Sequence, residues 1–146
     1  MNTTVKVLVF GVASGLIWSL APIILGDGFT SARETTKVLV SGVSSGVLVS
    51  LALRTPLSKS GRLGAFIAGL LSLPLGAFLF GFLSSVVEMF TAGTFDLHPF
   101  LSGFYYAAMS VISFFALYFF PLAVLTTFVL RAVILSGRKH DNAAQC

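Results

Sequence analysis

The chain has 146 residues, 56% of them hydrophobic and only 10% charged, with a formal net charge of +4. A water-soluble domain of this length carries about a quarter charged residues, because a small domain is mostly surface; without that cover it would expose patches large enough to aggregate. This balance predicts an all-α integral membrane bundle surrounded by the lipid bilayer, and it excludes a nucleic-acid partner, since no basic cluster is long enough to track a phosphate backbone.

Four stretches carry no Asp, Glu, Lys or Arg, and each is read as a transmembrane helix. The first, residues 7–26, predicts a span at 6–26, since about 20 apolar residues cross the hydrocarbon core. Lys6, the apolar run and Ser19-Leu20-Ala21 imitate a cleaved signal peptide. The run exceeds the usual length of about 7–15 residues and Pro22 would follow the cut, which argues against cleavage. The second stretch lies between Lys37 and Arg54 and predicts a span at 36–54. Its uncharged part is short, so the two flanking cations must extend to the interfaces, and a re-entrant hairpin is its competitor. The third, between Arg62 and Glu88, predicts a span at 63–88 with Pro74 inside it. The fourth predicts a helix at 99–131 opened by Pro99, which is favoured in a first turn. This stretch exceeds one crossing, and tilt or a kink near Pro121 is expected to absorb the excess. The domain is then 1–136, with 137–146 a short polar tail.

Lys and Arg collect in 54–62, in the tail and at Lys6, whereas the other two connectors hold Arg33 and the acids Asp27, Glu34, Glu88 and Asp96. Lys37 is the discordant cation. The positive-inside rule then places both termini in the cytoplasm of a multi-pass protein of a plasma or bacterial inner membrane.

Residues 6–21 and 37–52 align without gaps, and eleven of the sixteen positions are identical, including the Lys, both Gly and two Ser. A local duplication is the favoured reading, and it predicts that the first two helices form an antiparallel, repeat-related hairpin. Larger transporters use inverted repeats of this kind, which is an analogy only. The repeat preserves a small face: Gly11, Gly15 and Ser19 in one copy, Gly42, Gly46 and Ser50 in the other. Residues four apart share one side of a helix, and small residues there let backbones approach closely. The third stretch repeats the pattern in Gly64, Ala68, Ser72 and Gly76, with a second row in Ala65, Gly69, Ala77, Gly81 and Ser85. All these positions are expected to pack helices.

The fourth stretch is aromatic instead, with Phe100, Phe104, Tyr105, Tyr106, Phe114, Phe115, Tyr118, Phe119 and Phe120. Lipid-facing bulk and ring packing are expected there, with a hydrophobic ligand groove as the functional alternative.

Chemistry is sparse. No ionisable residue falls mid-span, so neither a proton relay nor a base for a serine nucleophile is in place, and no enzymatic activity or cofactor is expected. Glu88, Asp96 and His98 make a polar cluster at one end, but their spacing matches no metal motif, and acids near a helix start are the simpler reading. The lone Cys146 permits neither an intrachain disulfide nor a thiolate cluster. The expected function is a non-catalytic membrane module acting through helix–helix association, as a homo-oligomer or with other membrane protein subunits. The alternative is a small homo-oligomeric channel or carrier for a neutral or hydrophobic solute.

Overall fold

The computed structural model describes residues 2–25, 31–93, 97–112 and 116–143. These residues form five helices: α1 (Thr3–Leu25), α2 (Ala32–Lys59), α3 (Arg62–Ala92), α4 (His98–Ile112) and α5 (Ala116–Ala143). Four of them, α1, α2, α3 and α5, are long and apolar enough to cross a membrane. α1 packs on α2 and α5, α3 packs on α2, α4 and α5, and α4 rests almost wholly on α3.

The helix ends follow local chemistry more closely than they follow charge. Ser31 caps α2, its hydroxyl accepting from the Glu34 N–H at 3.3 Å, and Glu34 sits in the first turn where an acid is favoured. α2 then continues unbroken for 28 residues, about 42 Å of rise. The re-entrant alternative for the second stretch is therefore incorrect. The connector expected at 54–62 shrinks to Ser60 and Gly61, because Arg54 and Lys59 do not stop a helix and the extended backbone at Ser60 does. α3 ends on Gly93, whose φ of +70° is the left-handed cap that glycine adopts freely, with its N–H donating to the Met89 carbonyl at 2.8 Å. Pro99 lies in the first turn of α4, as its fixed φ favours.

The single helix expected at 99–131 is instead two helices, α4 and α5. Gly103 lies against Phe78 and Val124 against Gly69. A straight helix would advance about 31 Å from 103 to 124, whereas Phe78 and Gly69 are only about 13 Å apart along α3. One rod cannot meet both partners, so the surplus length is taken up by two helices and not by tilt or by a kink at Pro121, which stays inside α5. α5 also runs on through 137 to Ala143, so helix replaces the start of the expected polar tail.

Burial is inverted relative to a water-soluble core. Ser19, Ser41, Ser45, Ser50, Ser85 and Thr127 are buried, whereas Ile17, Leu63, Leu71, Leu101 and Leu125 are exposed. The apolar cluster of Val7, Leu57, Ala65, Leu130 and Ile134 closes one end of the bundle. Arg131 sits at that end and donates from Nη2 to the Ser60 carbonyl at 3.2 Å.

Candidate functional site

The seams between helices position the site. On α1 and α2, a Cβ added at Gly15 would stand 2.5 Å from the Gly42 oxygen and 2.7 Å from the Val43 Cα. One added at Gly46 would stand 2.6 Å from the Gly11 oxygen. Both distances are shorter than any real Cβ contact, so glycine is required by the approach of one backbone to another. Ser19 is packed over Gly42 in the same seam. On α3, the close approaches fall on the second small row: a Cβ added at Gly69 would stand 2.7 Å from the Val124 Cα, and one at Gly81 would stand 2.6 Å from the Tyr106 ring. The first row is placed otherwise. A Cβ at Gly64 would meet only Ser60, one at Gly76 only Val49 Cγ2 at 3.9 Å, and Ala68 packs against the apolar end cluster.

Beside these seams lies a cavity of about 340 Å³ between α1, α2, α3, the C-terminal turn of α4 and α5. Gly15, Ser19, Gly42, Gly46, Ser50, Ser72 and Gly76 all line it. These seven positions are among those that the sequence marks for packing, and together they border a space that the sequence did not announce. Rings from α1, α3, α4 and α5 line it too: Trp18 meets Phe119 edge-on at 5.6 Å, and Phe80 meets Tyr106 edge-on at 5.8 Å. Phe10, Leu53 and Leu130 close the cavity towards the apolar end cluster. The wall residues carry no charge.

The wall is nonetheless rich in hydroxyls, and seven of them are satisfied by their own helix. Ser19 donates to the Gly15 carbonyl at 2.6 Å and Ser14 to Gly11 at 3.1 Å. Ser45 donates to Gly42 at 3.0 Å and Ser72 to Gly69 at 2.7 Å. Ser110 donates to Ala107 at 2.7 Å, Thr126 to Leu122 at 2.7 Å and Thr127 to Ala123 at 2.8 Å. Bonding back to a carbonyl three or four residues earlier is how these side chains enter a helix interior without an unmet donor.

Of the polar cluster expected from Glu88, Asp96 and His98, Glu88 pairs with Lys37 at 3.4 Å, joining α2 to α3 in a largely exposed contact. His98 is the first residue of α4, and Asp96 lies outside the described residues. The discordant cation of the sequence is therefore the partner of one of its acids. Trp18, Phe80 and Met109 are among the wall residues that the sequence does not mark, whereas Tyr106 and Phe119 belong to the aromatic set of the fourth stretch, for which a hydrophobic ligand groove is the functional alternative.

Comparison with protein families, with curated proteins and with solved structures finds no match to this chain.

Proposed function

We propose that this chain is a multi-pass integral membrane protein that binds a small, uncharged, largely apolar molecule inside its own helix bundle, as a non-catalytic carrier or receptor. The observation that carries the reading is the uncharged cavity of about 340 Å³ lined by hydroxyls and aromatic rings. Its size and lining are those of small-molecule sites, which lie between helices and are mostly apolar with a few placed polar groups. The small residues around this cavity provide an interior within one chain, so this carrier reading needs no oligomer to build its site.

The membrane setting is supported by the inverted burial, with serine inside and leucine outside. Where lipid is the solvent, large apolar groups gain nothing by leaving the surface and small residues bring helices together. α1, α2, α3 and α5 are the four spans of this reading. α1 and α2 are its antiparallel, repeat-related pair, and the ends bearing Lys6, Lys59 and Arg62 face the cytoplasm of a plasma or bacterial inner membrane.

Association with copies of itself or with other membrane protein subunits is the second reading. The observation that favours it is the outward face of α4, where Leu101, Phe104 and Tyr105 are exposed. Co-purification of further membrane proteins in mild detergent would support it.

Binding is tested by quenching of Trp18, the sole tryptophan, with a medium-chain bromoalkane added to the detergent-solubilised chain. Saturable quenching is expected, and it should disappear in Gly76→Leu, whose side chain enters the cavity. Equal quenching in both proteins would reject the site. Orientation is tested in a Cys146→Ser background: Lys59→Cys should label only from the cytoplasmic side and Asp96→Cys only from the opposite side, and the reverse pattern would overturn the topology.

A further inference from the structure

Resting on the cavity as the binding site, the hydrogen bonds of its wall also specify what it binds. A carbonyl oxygen has no proton to give, so in each of the back-bonds described above the hydroxyl must be the donor. Seven wall hydroxyls, those of Ser14, Ser19, Ser45, Ser72, Ser110, Thr126 and Thr127, have therefore spent their protons on their own helices. What each retains for a ligand is oxygen lone pairs. Against these the wall offers as donors the Trp18 indole N–H and the hydroxyls of Ser50 and Tyr106, so acceptors are in the majority.

Two further features have the same sign. Met109 and Ser110 bring the C-terminal turn of α4 into the wall, and a helix C-terminus carries partial negative charge. The rings of Trp18, Phe80, Tyr106 and Phe119 also line the cavity, and an aromatic face is electron-rich. No Lys or Arg lines the cavity to balance them.

We infer that the cavity selects a neutral, lipophilic molecule that brings its own hydrogen-bond donor, such as an alcohol, a phenol or an N–H group. It excludes anions and binds donor-free analogues of the same shape more weakly. An anion would face lone pairs and ring faces with no cation to meet it. A full cation is also disfavoured, because no carboxylate lines the wall and an unpaired charge is costly to bury. The remaining match is a neutral donor on an apolar frame. Its donor is satisfied by a hydroxyl oxygen, and its frame fills the space between the rings and the glycines.

The test uses the purified full-length chain in detergent at neutral pH, with three probes of one chain length: a bromoalkanol, its methyl ether and the corresponding bromoalkanoate. Bromine quenches Trp18 on contact, and Gly76→Leu supplies the background from probe dissolved in the micelle. The alcohol is expected to bind about tenfold more tightly than the ether, the difference of one hydrogen bond. The carboxylate should quench no more than background. Parity between alcohol and ether overturns the selectivity while leaving the cavity as a binding site. So does tighter binding of the carboxylate. If no probe quenches above background, the site itself fails and the selectivity falls with it.

Discussion

The α1–α2 seam and the α3–α4 seam both rest on glycine, yet they use it differently. Between α1 and α2, the atoms nearest a Cβ at Gly15 or Gly46 are all backbone: the Gly42 and Gly11 carbonyl oxygens and the Cα atoms of Val43 and Gly15. Between α3 and α4, Gly81 receives the Tyr106 ring and Gly103 receives the Phe78 ring, with a carbonyl next in line at 2.9 and 3.0 Å. Backbone pressed on backbone has no torsion through which to retreat. A ring on glycine can turn before the carbonyl behind it is reached. The first seam is therefore the rigid half of the molecule, and the second is an accommodating one, reinforced by ring contacts such as Phe78–Phe104 at 5.2 Å and Phe82–Phe100 at 5.1 Å.

Breaking the rigid seam should cost most. Gly15→Leu or Gly46→Leu is expected to destabilise the bundle by more than about 3 kcal/mol, read as a lowered thermal midpoint in detergent; an unchanged midpoint in both variants would refute backbone contact as the basis of the seam. Gly103→Ala probes the accommodating seam, with an expected loss of about 1–2 kcal/mol, and a loss equal to that of Gly15→Ala would erase the distinction between the two. Gly76→Ala reverses the sign: its Cβ meets only Val49 Cγ2 at 3.9 Å, so the helix-propensity gain of about 0.5–1 kcal/mol should appear as a raised midpoint. Lys37→Ala is the smallest change, under about 1 kcal/mol and vanishing in high salt, because the Glu88 side chain is 60% exposed.

The same contrast explains what the sequence could and could not reveal. The four long helices were legible because each carries an uncharged apolar run of about the length that a membrane requires. Their ends were less legible: Arg54 and Lys59 look like a loop, but the helix stops only where Ser60 and Gly61 give it extended backbone. The division into α4 and α5 had no local signal that could be weighed, since it follows from where Phe78 and Gly69 stand on a different helix. The cavity was hidden for a related reason. Gly69 and Gly76 are the same residue on the same helix, yet one meets the Val124 backbone and the other borders open space. What lies across from a glycine is a tertiary fact, and a row of small residues reads alike in both cases. The back-bonding of Ser72 and Thr127 was likewise invisible, because a serine spaced for packing and one that faces a void share the same letter.

Those back-bonds have a mechanical consequence as well. A serine or threonine hydroxyl bonded to a carbonyl three or four residues earlier competes for an oxygen that already accepts from the helix ladder, and such sites bend helices slightly. Here they occur on all five helices and on the side of each that looks inwards, at Ser14, Ser45, Ser72, Ser110 and Thr127 among others. Small curvatures at these inward positions, shared among the five helices, give the enclosure a way to widen while the glycine seam of α1 and α2 holds its register.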